Sequence, residues 1–185
     1  LLAKERGLAD RLENFFKIDE EVEIEFEDAN VSFFRTTHTI PDSVGIVIQT
    51  KEGSVVYTGD FRIDPSAKPL YKTHFGRLTD IGESGVLALL ADSSEAESHV
   101  ENVSDQQAAD EILETFRNAH GRVIVACVGS NIARLQQVMD AAHTSKRTIF
   151  VPGGELMDIV DTAIKLDKLI MPSKRTFGQM KNIGK

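Results

Sequence analysis

Residues 31–60 read VSFFRTTHTIPDSVGIVIQTKEGSVVYTGD. Three apolar stretches, Val31 to Thr37, Val44 to Gln49 and Ser54 to Thr58, are separated by Pro41-Asp42-Ser43 and by Lys51-Glu52-Gly53. β-branched and aromatic residues bounded by turn formers read as strands joined by tight connections. Each connection reverses the chain, so the first and third strands run the same way and end on the same edge of the sheet. His38 follows the first of them and Asp60 follows the third. An imidazole and a carboxylate brought together are part of the ligand set of zinc or manganese. Gly59 allows the tight bend that would turn Asp60 toward an ion. A plainer reading stands beside this one. A histidine after a strand is ordinarily a surface side chain, an aspartate after glycine ordinarily bonds its own backbone, and zinc takes at least three protein ligands.

Working outward, Val22, Ile24 and Phe26 alternate with four glutamates, which predicts a half-exposed strand with an acidic outer face. Ahead of it, Leu8, Leu12, Phe15 and Phe16 recur at helical spacing. After residue 60 comes Val86 to Ala91, a short apolar strand, with Asp92 following its end. No hairpin fixes the direction of that strand. The second half then changes character. Ser104 and Gln107 predict a capped helix start, followed by Ala109, Ile112, Leu113 and Phe116 on one face. Val123 to Val128 is a continuous apolar run, as in a strand covered on both faces. Gly129-Ser130-Asn131 opens another helix with Ile132, Leu135, Val138, Met139 and Ala142 inward. Thr148 to Val151 reads as a strand and Leu156, Ile159, Val160, Ala163 and Ile164 as a last helix. Strand and helix alternating with short links predict a parallel βα unit.

Composition bounds the function. The chain has 185 residues, 41% hydrophobic and 27% charged, in the range of globular domains. No apolar run is long enough to span a bilayer, and the first residues lack a basic-then-apolar signal pattern. A single cysteine, Cys127, excludes an internal disulfide. A cytoplasmic location follows as the default expectation. The net charge of −8 argues against broad nucleic-acid binding, but the acid sits at the front, where residues 1–30 hold ten acidic and four basic side chains. From Lys165 to the end, Lys165, Lys168, Lys174, Arg175, Lys181 and Lys185 stand against Asp167 alone. The other histidines, His74, His99, His120 and His143, are expected in loops or near helix ends and are given no catalytic role.

Four segments carry a resemblance. They are residues 36–45 (TTHTIPDSVG) with 57–64 (YTGDFRID), then 85–94 (GVLALLADSS), then 130–138 (SNIARLQQV). In this order they resemble the ribonuclease J family, the bacterial branch of the metallo-β-lactamase/β-CASP nucleases. The resemblance implies an α/β chain of the α+β sandwich type. Residues 1–100 would be the second half of a metallo-β-lactamase αββα lobe, and 101–185 the start of a parallel βα β-CASP domain. It also implies a metal-dependent ribonuclease that hydrolyses RNA phosphodiesters with two divalent ions, zinc or manganese. His38 would be a metal ligand, Asp60 the carboxylate bridging both ions, and Asp92 a catalytic acid supporting proton handling. Ser130, Asn131 and Arg134 would contact RNA. A helix start offers N–H groups to a phosphate, although ordinary N-capping by Ser130 or Asn131 accounts for the same residues.

The chain also departs from the family pattern. An H-x-H-x-D-H motif is absent, Asp92-Ser93-Ser94-Glu95 stands where D-S-T-N is usual, and Ala133 stands where many members have histidine. The expectation is therefore an internal piece of a longer enzyme. Alone it would have little activity and no firmly held metal, and it would expose apolar faces that favour association. The intact enzyme would be homo-oligomeric. Two rival readings are a non-catalytic module binding RNA or protein, and another hydrolase of the same superfamily.

Overall fold

The computed structural model describes residues 16–98, 103–173, 176–180 and 183. Its first half is a five-stranded sheet in sequential order: β1 (Glu23–Glu25), β2 (Asn30–Arg35), β3 (Val44–Thr50), β4 (Gly53–Tyr57) and β5 (Val86–Leu90). The first four pair antiparallel, as the turn residues predict. Phe34 lies opposite Gly45, and Val47 opposite Val56. β5 pairs parallel with β4, so the chain between them must cross over. That crossover carries helix α1 (Phe75–Glu83), for which the sequence analysis has no counterpart. Leu78 and Ile81 of α1 pack on Phe34, Val47 and Val56 to form the core of this half. Burial of Phe34, which is 1% exposed, contributes about 1.5–3 kcal/mol.

β5 is covered on neither face. Val86, Leu87, Leu89 and Leu90 are all exposed, Leu87 by 64%. An apolar groove lined by Leu78, Ile81, Val86, Leu87 and Leu89 runs between α1 and this strand. Uncovered apolar surface is what the sequence analysis expects.

The second half holds α2 (Asp105–Asn118), α3 (Ile132–Thr144) and α4 (Gly154–Lys165). Ser104 caps α2 by accepting the Gln107 N–H at 3.1 Å, as expected. α3 is the central helix. Ile132, Leu135 and Met139 pack with Val160, Ala163 and Leu169, while Val138, Ala141 and Ala142 pack with Phe116. Arg147 ties the end of α2 to this core. Its guanidinium donates to the carbonyls of Phe116 at 3.0 Å, Gly121 at 2.8 Å and Ala119.

Two expected strands are not formed. Val123 to Val128 belongs to no strand, and its Ile124 and Val128 are 94% and 71% exposed. Thr148 to Val151 makes only a single bridge, Ile149 to Phe177. A buried parallel strand needs neighbours to take its N–H and C=O groups on both sides. Among the described residues no strand pairs with residues 123–128, and only Val123 packs against the Phe116–Val138 cluster. The fold is mixed α/β as expected, and among the described residues the one sheet lies in the first half. The early helix around Leu8 and Leu12 lies outside the described residues. So do Lys174, Arg175, Lys181 and Lys185 of the basic stretch, whereas Lys168 pairs with Asp42 at 2.5 Å.

Candidate functional site

The sheet brings the ends of β2, β4 and β5 to one edge, since β2 and β4 run the same way and β5 is parallel to β4. His38 and Asp60 meet there: His38 Nε2 lies 3.6 Å from Asp60 Oδ2. The imidazole is about a quarter exposed and the carboxylate three-quarters exposed. Gly59 has φ +60°, the left-handed bend expected of it. The Thr39 hydroxyl stands 3.4 Å from the same His38 nitrogen.

Asp92 joins this neighbourhood from β5. Its N–H donates to Thr58 Oγ1 at 3.0 Å, which ties the ends of β4 and β5 together. Its Oδ1 accepts the Ser94 N–H at 2.9 Å. Hydrogen bonds from Ser94 backbone and side chain, another from the Phe61 N–H, and the nearby His38 hold its carboxyl below the usual carboxylate range. Asp92 is therefore ionised at neutral pH. It accepts hydrogen bonds and contributes negative charge beside His38.

The donor types at this edge, an imidazole nitrogen and carboxylate oxygens, suit a divalent cation. Among the described residues, however, no group of three or more His, Cys, Asp or Glu is arranged to hold a metal ion. The pair thus fits part of a metal site.

The turn before α3 lies against the same loop. The Ala133 N–H donates to the Thr39 carbonyl at 3.3 Å, one residue past His38. The N–H groups of Asn131 and of the first helical residues are also taken, Asn131 donating to the Val128 carbonyl at 2.9 Å. Ile132 donates to the Ser130 carbonyl, Arg134 to Asn131 Oδ1 at 2.9 Å, and Leu135 to the Asn131 carbonyl. Asn131 is the N-cap. The N-capping account of this turn therefore holds, and these backbone N–H groups are not free to cradle a phosphate. Side-chain donors remain on the exposed Ser130 and the half-buried Arg134, which makes no ion pair among the described residues.

Of the other histidines, His74 precedes α1 and pairs through Nδ1 with Glu20 Oε2 at 3.1 Å, and His143 sits in the last turn of α3. His99 lies outside the described residues. Cys127 is free and exposed. The sequence analysis misses Asp64, although it lies within one of the quoted segments. Asp64 Oδ1 accepts from the Ser66 N–H and hydroxyl, and Oδ2 from the Asp105 N–H. It joins the loop after β4 to the start of α2. No local pattern marks it, because its key partner lies 41 residues away.

Residues 120–185 match the family model for the ribonuclease J β-CASP domain. Over all 185 residues the chain is 44% identical to Ribonuclease J 2 of Streptococcus pyogenes, covering 100% of this chain and 34% of that protein. The chain belongs to the ribonuclease J family. Ribonuclease J 2 of Staphylococcus saprophyticus is 38% identical over 152 residues, which is 82% of this chain and 27% of that relative. The chain thus spans about a third of the length of the ribonuclease J relatives it matches. The fold itself recurs in a crystal structure of a protein of unknown function from Enterococcus faecalis. That match has a TM-score of 0.66 and 10% identity, over 91% of this chain and 42% of that one. No helix among the described residues is long and apolar enough to cross a membrane.

Proposed function

We propose that this segment serves a metal-dependent ribonuclease of the ribonuclease J type, which hydrolyses RNA phosphodiester bonds in RNA processing and decay. The observation that carries the reading is the 3.6 Å approach of His38 Nε2 to Asp60 Oδ2 on the edge where Asp92 is also anchored. His38 and Asp60 would hold divalent cations, zinc or manganese, together with ligands from outside this segment. When bound, such ions polarise phosphate oxygens and acidify a water molecule. Asp60, with two carboxylate oxygens and high exposure, is the residue suited to bridging two ions. Asp92 keeps its charge near His38 and would support proton handling there by stabilising positive charge on the imidazole. Ser130 and Arg134 offer side-chain donors to RNA phosphates, while Asn131 serves by fixing the turn that presents them.

The same reading assigns 1–100 to the metallo-β-lactamase lobe and 101–185 to the β-CASP domain. It places the intact enzyme in the cytoplasm as a homo-oligomer. With only part of the ligand set, the isolated segment would cleave RNA little.

The test is Asp60→Ala in a full-length ribonuclease J carrying this segment. Elemental analysis should show loss of one or both metals, with RNA cleavage lost in parallel. Unchanged metal content would end the bridging assignment. If the unsubstituted protein binds RNA in a salt-dependent manner yet never cleaves it, it is a non-catalytic module instead.

A further inference from the structure

Thr37 immediately precedes His38 and is fully buried, with Thr73 nearly so. The two threonines bond reciprocally. The Thr37 N–H donates to Thr73 Oγ1 at 2.9 Å, the Thr73 N–H donates to Thr37 Oγ1 at 3.0 Å, and the two hydroxyl oxygens are 2.9 Å apart. On its other side, the Thr37 carbonyl accepts the Arg62 N–H at 2.9 Å, in an isolated antiparallel bridge. Arg62 is two residues past Asp60. The backbone that ends in His38 is thus gripped from one side by Thr73 and from the other by the loop after β4 that bears Asp60.

From this we infer that Thr37 and Thr73 are positioning residues for the His38–Asp60 pair: their hydroxyls fix the depth of the β2 extension, and with it the distance between the two metal-binding side chains. β2 itself ends at Arg35. The His74 N–H donates to the Arg35 carbonyl at 3.3 Å, so residues 73–74 continue alongside the strand where its ladder stops. A threonine hydroxyl can accept from a backbone N–H and bond a second hydroxyl at once. Valine has the same shape but can do neither. With Thr73→Val the buried Thr37 N–H would lose its acceptor, and the chain would shift to find another. Outer groups that orient a metal ligand typically change affinity by about 10–100-fold when removed.

The inference rests on the metal reading proposed above, and the experiment separates the two. Mn²⁺ is titrated into the 15N-labelled chain, and paramagnetic broadening of the His38 and Asp60 amide signals is followed. This readout registers weak binding and needs no activity. The unsubstituted chain should show broadening that Asp60→Ala abolishes. No broadening at that edge would overturn the metal reading itself. Given broadening, Thr73→Val should need about tenfold more Mn²⁺ or greater for the same effect, and Thr73→Ser, which keeps the hydroxyl, should match the unsubstituted chain. A normal titration with Thr73→Val would overturn the positioning role while leaving the metal reading intact. If Thr73→Val and Thr73→Ala both fail to fold while Thr73→Ser folds and binds normally, the pair acts in folding alone, which also overturns the proposal.

Discussion

Asp64 Oδ2 accepts the backbone N–H of Asp105 at 2.7 Å, so a carboxylate from the loop after β4 holds the first residue of α2. Arg62 adds an ion pair to the Asp105 side chain at 2.5 Å, and Gln137 of α3 donates to the Asp105 carbonyl at 2.9 Å. One short region therefore seats two helices on the sheet-bearing half. Helix starts favour negative charge, which adds to the hydrogen bond.

Asp64→Ala should destabilise the chain by about 1–3 kcal/mol in urea unfolding at neutral pH, since the partly buried N–H groups of Ser66 and Asp105 lose a charged acceptor. Burial alone would raise the Asp64 carboxyl. The hydrogen bonds from Ser66 and Asp105 and the charge of Arg62 outweigh it and hold it below the usual range. A depressed carboxylate gives stability that is fully present above its unfolded-state value and lost as pH falls through the folded-state value. The gap between the unsubstituted chain and Asp64→Ala should therefore narrow on acidification. A gap independent of pH would refute the account.

Asn131→Ala should cost about 1 kcal/mol, because the α3 N-cap loses its acceptor for the Arg134 N–H. Amide exchange at Arg134 should quicken, whereas Asn131→Asp should hold stability. Equal exchange rates in the alanine variant and the unsubstituted chain would show that the cap is not the constraint.

Gly45→Ala should be destabilising by steric conflict. A methyl group there would sit 2.2 Å from Phe34 Cζ and under 3 Å from two further ring atoms. Phe34 is packed by Val47, Val56 and Ile81 and has little room to yield. Overpacking of this kind typically costs about 1–3 kcal/mol. A melting temperature equal to that of the unsubstituted chain would mean the ring is free to move.

Leu87→Lys with Leu89→Lys should reduce self-association of the isolated chain. β5 is an edge strand with exposed apolar side chains, the arrangement that recruits other chains. Light scattering should show a smaller, more uniform species for the double variant. A monomeric unsubstituted chain at high concentration would contradict this expectation.

The meander and the shared edge of His38 and Asp60 were legible because they follow from local rules. Alternation has a period of two, Pro41-Asp42-Ser43 and Lys51-Glu52-Gly53 each reverse the chain, and two reversals restore direction. The Ser104 cap and the inward face of α3 were legible for the same reason, since their signals lie within a few residues of their effects. Helix α1 was not. Its Phe75-Gly76 start has no side-chain cap, and its apolar contacts, Leu78 and Ile81, are sparse.

The amino-acid sequence by itself determined the antiparallel strands, the helix faces and the parity that puts an imidazole and a carboxylate on one rim. Tertiary structure alone decided that β5 runs parallel to β4 and brings Asp92 to that rim, and that Thr39 consumes an N–H of α3. It also decided that Thr73 grips the residue before His38 and that Val123 to Val128 stays unpaired. These outcomes depend on which backbone donors and acceptors from distant parts of the chain meet. A hydrogen-bonding group leaves no local trace of a partner that lies tens of residues away.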